Sequence, residues 1–154
     1  MTRDVIAGAP GRLNYVGTPR QRGSHMAKSS SSPSEVVRAF LGPMETLDYD
    51  SALKLVSDDC AYTNPPPLGS VQGPAGVRAG LEPFFSPTIE NEFKVVREAT
   101  AGATVFLERL DRHHLADKWV ELPVTGVFEV RDGEITRWRD YFDLATIMPE
   151  WPAA

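Results

Sequence analysis

The chain has 154 residues, 42% hydrophobic and 24% charged, and a formal net charge of −5 at pH 7. That length closes one substantial core and is too short for two. A single cysteine, Cys60, excludes an intramolecular disulfide, and no stretch approaches the roughly 18 uninterrupted apolar residues of a membrane-spanning helix.

Residues 1–26 read as a leader apart from the folded unit, either disordered or cloning-derived, because Gly23-Ser24-His25-Met26 looks like a cloning scar and the stretch before it keeps no apolar period. Residues 27–154 are then expected to form a single domain. Without the leader's Arg residues the net charge falls to about −8, which leaves no basic stripe for nucleic acid. One cysteine and three scattered histidines argue against a Cys/His metal site, and a reducing cytoplasm is the expected location.

After a Ser-rich linker, Val36, Val37, Phe40 and Leu41 fall at helical spacing behind Ser34 as N-cap. Asp50 is expected to cap a second short helix carrying Leu53, Leu55 and Val56. A strand follows over 60–64 and is stopped by Pro65, Pro66 and Pro67, which lack backbone N–H groups. A third helix starts at Gly73-Pro74 with Val77, Leu81 and Phe84 or Phe85 inward, and Pro83 distorts or ends it. Residues 93–96, 104–111, 119–130 and 134–142 read as strands, with Asp132-Gly133 as a two-residue hairpin turn, and 144–148 as a terminal helix. Helices first and strands afterwards predict an α+β domain: a strongly curved, cone-shaped, mixed or antiparallel sheet packed on three or four helices around an internal apolar pocket.

Side chains two residues apart on a strand share a face. That parity groups Cys60, Tyr62 and Asn64; Val105, Leu107, Arg109 and Asp111; Leu122, Val124, Gly126 and Phe128; and Trp138, Asp140 and Phe142. Two carboxylates, a guanidinium, a phenol and an amide thus share faces with apolar residues, which is costly to bury without a task. Such a set can take a proton from water and give one to a leaving oxygen in one step. The plain alternatives are a solvated ion pair for Arg109 and Asp111, a strand-end carboxylate for Asp140, a core ring for Tyr62 and a turn for Asn64. His113 and His114, adjacent on a strand, point to opposite faces and do not chelate one ion; His113 shares the parity of Asp111.

The phrases Tyr62-Thr63-Asn64, Glu108-Arg109-Leu110-Asp111, Gly126-Val127-Phe128-Glu129-Val130 and Trp138-Arg139-Asp140-Tyr141-Phe142-Asp143 resemble the limonene-1,2-epoxide hydrolase family, whose fold is shared with nuclear transport factor 2 and ketosteroid isomerase. The resemblance covers about residues 33–150. It implies a triad of Asp111, Arg109 and Asp140, with Tyr62 and Asn64 helping Asp140 hold an attacking water, in a cofactor-independent and metal-free hydrolase. The implied substrate is a small apolar epoxide, cyclic or terpene-like, in a pocket lined by Leu81, Phe84, Leu107, Leu122, Val124, Trp138 and Phe142. A homodimer is implied, with neither nucleic acid nor membrane as partner. An isomerase or dehydratase on the same fold, or a non-catalytic carrier of hydrophobic ligands, are the alternatives.

Overall fold

A computed structural model describes residues 30–152. The leader at 1–26 lies outside these residues. Ser32, rather than Ser34, opens the first helix, α1 (Pro33–Glu45): its hydroxyl accepts from the Glu35 N–H while the Glu35 carboxylate accepts from the Ser32 N–H, closing a capping box. Pro33 fits the first turn, where no N–H is needed. Val36, Val37, Phe40 and Leu41 are buried as their spacing predicts. The short α2 (Tyr49–Ala52) is capped by Asp48, whose carboxylate accepts from Ser51 N–H at 3.0 Å, so Asp50 is left to pair with Arg78. Leu53–Leu55 form one 3₁₀ turn.

Val56 belongs to a strand and not to that helix. β1 (Val56–Thr63) is longer than its apolar residues suggest, because Val56 already pairs with Ile135. After the prolines a three-residue strand, β2 (Ser70–Gln72), returns antiparallel to β1; nothing in its composition announces it. α3 (Gly73–Phe85) runs two residues past Pro83, so both Phe84 and Phe85 belong to it.

β3 (Glu90–Ala101), β4 (Thr104–His114), β5 (Trp119–Arg131) and β6 (Glu134–Tyr141) complete one six-stranded sheet in the order β2-β1-β6-β5-β4-β3. Neighbours are antiparallel except β1 and β6, which run parallel. β3 extends well beyond residues 93–96. As an edge strand it carries Glu90, Glu92, Arg97 and Glu98, whose charges blunt an exposed edge and hide the strand from an apolar count. α4 (Leu144–Ile147) closes the chain with Asp143 as N-cap.

Alternation holds on β4 and β5: Val105, Leu107, Arg109, Asp111 and His113 are buried on β4, and Val120, Leu122, Val124, Phe128 and Val130 on β5. The helices cover this concave face, where Val37, Phe40, Cys60, Val77, Phe128 and Ile135 form the main core. A second cluster of Leu115, Val120, Leu122, Val124 and Ile147 lies with α4. The curved α+β architecture is therefore as the order of helices and strands predicts.

The turn at Asp132-Gly133 takes positive φ at both positions, 51° and 81°, as a type I′ hairpin demands. No heavy atom would lie within 4 Å of a Cβ on Gly133, so the cost of a side chain there is purely one of backbone conformation. Gly133→Ala is expected to lower stability by about 1 kcal/mol. An unchanged midpoint in urea denaturation would contradict this.

Candidate active site

β1, β6, β5 and β4 meet the inner ends of α1 and α3 around a cavity of about 150 Å³. That volume suits a molecule on the scale of a benzene ring. Leu81, Phe84, Leu122, Val124, Trp138 and Phe142 line it, together with Tyr62, Asn64, Arg109, Asp111 and Asp140. Leu107 does not. It has the expected parity but lies one step along β4 from Arg109, away from Asp111, and is wholly enclosed in the main core.

Arg109 organises the polar groups. Its Nε and Nη2 donate to the two carboxylate oxygens of Asp111 at 2.9 and 3.0 Å, the bidentate fork that a planar guanidinium makes with a carboxylate. Nη2 also donates to Asp140 Oδ1 at 3.3 Å, so one nitrogen contacts both acids. All three side chains are at most 7% exposed, which excludes the solvated ion pair. Nη1 has no hydrogen-bond partner among the described residues, and an unpaired buried donor costs about 1–3 kcal/mol. The Phe93 ring, 6.0 Å from the guanidinium carbon, offers partial cation–π compensation.

Register explains how Arg109 reaches Asp140, two strands away. Gly126 on β5 pairs with Asp140 on one side and with Leu107 on the other. A Cβ at Gly126 would fall 2.5 Å from Arg109 Nη1, 2.7 Å from Phe128 Cε2 and 3.0 Å from Asp140 Oδ1. The missing side chain is the passage through which the guanidinium crosses β5. A glycine inside a strand is the signal of such a close approach, although nothing in the sequence names what approaches.

Asp140 Oδ1 also accepts from Trp138 Nε1 at 2.9 Å, a polar role that the apolar reading of Trp138 misses. Its Oδ2 has no hydrogen-bond partner among the described residues and is not among the sealed, unpaired atoms, so it borders the cavity. The parallel pairing of Tyr62 with Trp138 and Thr63 with Arg139 brings Asn64 level with Asp140. Tyr62 stacks on Trp138 at 3.8 Å, and its hydroxyl donates to Asn64 Oδ1 at 2.9 Å. The Asn64 amide N–H₂ thus stays available.

Burial raises the Asp140 pKa, Arg109 lowers it in opposition and Asp111 raises it further. Burial also pushes the Tyr62 phenol well above its usual value, assisted by Asp140, so Tyr62 stays protonated. Desolvation alone would lower the Arg109 pKa, but Asp140 and Asp111 outweigh it and Arg109 remains a cation. Among the described residues no group of three His, Cys, Asp or Glu side chains could hold a metal ion.

Residues 31–153 match the family model of the limonene-1,2-epoxide hydrolase catalytic domain. The chain belongs to the limonene-1,2-epoxide hydrolase family. Epoxide hydrolase EphG of Mycobacterium tuberculosis is 38% identical over 109 residues, which cover 70% of this chain and 71% of that one. A solved structure of an M. tuberculosis LEH-like epoxide hydrolase superposes with a TM-score of 0.64 at 34% identity, covering 76% of this chain and 86% of that chain. An NTF2-like protein of Burkholderia pseudomallei, at 18% identity and TM-score 0.70 over 80% of this chain and 99% of its own, shares the fold. As a member of the limonene-1,2-epoxide hydrolase family the chain is an epoxide hydrolase.

Gly126→Ala is expected to destabilise this family member by about 1–3 kcal/mol through overpacking and to reduce epoxide hydrolysis more than stability alone explains. Denaturation and diol formation measured on the same folded sample decide it. Wild-type turnover by the alanine variant would show that the passage over β5 is not needed.

Proposed function

We propose that the chain hydrates an apolar, cyclic or terpene-like epoxide to a vicinal diol in one step, without metal or organic cofactor. The observation that carries this reading is the single Arg109 nitrogen in contact with both buried carboxylates, beside an Asp140 oxygen left open next to Tyr62 and Asn64. Asp140 is the base because its free oxygen lies on the side of the phenol and the amide, three groups suited to fixing a water. Asp111 is the acid.

In the reaction a water oxygen bonds to an epoxide carbon as the ring C–O bond breaks. Asp140 takes the water proton and Asp111 gives its proton to the departing alkoxide, so the negative charge passes from one acid to the other. The step starts with Asp140 ionised and Asp111 carrying the proton, and ends with these states exchanged. Because Arg109 Nη2 touches both, it stabilises the charge at either end of the step without moving. The mostly apolar walls of the cavity and its ring-sized volume support a small hydrophobic substrate. A cytoplasmic homodimer belongs to the same proposal. The dimer is supported by the exposed Val96 and Tyr141 beside Leu110 and Pro123 on the outer sheet face.

Asp140→Asn and Asp111→Asn are each expected to reduce kcat by about 10²–10⁴-fold, measured on protein whose circular dichroism matches the parent. Near-parental turnover by either would sink the assignment. Burial places the folded Asp140 pKa above its unfolded value of about 3.9, so ionised Asp140 costs folding free energy at neutral pH, and the cost is relieved as pH falls. Asp140→Asn is therefore expected to be no less stable than the parent at pH 7 and to show a flatter acid limb in denaturation.

In one turnover with enzyme in excess and ¹⁸O-labelled water, the label should enter the diol directly. Unlabelled diol, with label later found in Asp140 or Asp111, would establish a covalent ester instead.

A further inference from the structure

The cavity holds one more polar side chain, and the proposed chemistry has no use for it. His113 is 1% exposed at the end of β4, with the rings of Phe85 and Trp151 at 5.4 and 5.3 Å. Its Nδ1 lies 2.8 Å from Asn91 Oδ1, while Asn91 Nδ2 donates to the Met44 carbonyl at 3.3 Å. A carbonyl only accepts, so it fixes the amide with nitrogen toward Met44 and oxygen toward His113. That oxygen also only accepts. The imidazole therefore carries its proton on Nδ1, and Nε2 is a bare lone pair.

Nε2 has no hydrogen-bond partner among the described residues. The one fully enclosed side-chain nitrogen or oxygen without a partner among them is Arg109 Nη1, so Nε2 keeps some accessible surface, and the cavity is the space that His113 lines. Burial pulls the His113 pKa down to about 4; Asp111 opposes this and Arg109 reinforces it. The ring is neutral at physiological pH and the acceptor is permanently present. A buried acceptor facing an apolar substrate would lose its solvation for nothing, so its presence selects for a ligand that can donate.

Resting on the epoxide-hydrolase reading of this cavity, we propose that His113 Nε2 accepts a hydrogen bond from a hydroxyl of the substrate. The chain then prefers an epoxide bearing a neutral hydroxyl several carbons from the ring oxygen. His113 follows Asp111 by two residues on the same strand face, about 6.7 Å along β4, which sets the spacing between the epoxide oxygen and the hydroxyl. The rings of Phe85 and Trp151 beside His113 carry no charge, and Asp111, two residues away on the same face, is paired with Arg109, so a neutral donor suits Nε2 better than a cationic one.

The test uses two near-isosteric substrates: cyclohexene oxides substituted opposite the epoxide by a 2-hydroxypropan-2-yl or by a tert-butyl group. The parent enzyme should favour the hydroxylated epoxide in kcat/KM by about tenfold or more, and His113→Phe should bring the ratio to about one or invert it. Calorimetric binding of both compounds to Asp140→Asn should show the same preference without turnover. In the unaltered protein, ¹⁵N spectra should show Nε2 unprotonated, with its resonance displaced by the hydroxylated compound and not by the tert-butyl one.

Equal discrimination by parent and His113→Phe, or a protonated Nε2 in the free protein, would overturn the proposal. If neither epoxide is turned over while Asp140→Asn still binds the hydroxylated one preferentially, hydrolysis fails and the role of His113 stands. Should His113→Phe not fold, the ¹⁵N and calorimetric results on the other forms decide.

Discussion

The site depends on one guanidinium crossing one strand where that strand has no side chain. Arg109 and Asp140 sit on β4 and β6, with β5 between them, and at Gly126 the gap between the two is closed only by hydrogen on Cα. A buried cation with two buried carboxylates is not a stabilising device in itself, since desolvation offsets much of the attraction. What the arrangement provides is a fixed positive charge between two groups that can exchange a proton. The surrounding apolar walls make that charge felt over short distances, because little water is present to screen it.

Several of the polar groups are held by neighbours with no part in the proposed chemistry. Trp138 pins one oxygen of Asp140 and supports the Tyr62 ring by stacking, so a single indole fixes the positions of groups on two parallel strands. Asn91, from edge strand β3, and the last turn of α1 together fix the tautomer of His113. The cavity thus draws on almost every layer of the fold, and its precision comes from packing and second hydrogen bonds rather than from loops.

Strand parity made much of this legible in the sequence. Period-two alternation alone put Arg109, Asp111 and Asp140 on buried faces, and it separated His113 from His114, which instead stacks on Trp119. What parity could not supply was depth: Leu107 has the right face and lies in the core beyond the cavity. The hidden elements share a physical cause. β2 and most of β3 are edge segments whose residues face water, so their hydrogen bonds leave no apolar signature, and the caps at Ser32 and Asp48 compete locally with equally good candidates at Ser34 and Asp50. Nor does a sequence show that β1 and β6 pair, although the proximity of Asn64 to Asp140 rests on it.

That parallel pairing has a consequence for how the protein is made. β1 is an early strand and β6 the last, and the groups proposed to hold the water come from one while the proposed base comes from the other. Contacts between such distant segments form late, after the loop that separates them has been closed at an entropic cost. The β4-β5-β6 meander, joined by short connections, can assemble beforehand and already contains Arg109 and both carboxylates. If the meander forms first, the charged half of the site stands in water until β1 docks, and that docking turns a wet cluster of charges into an enclosed one.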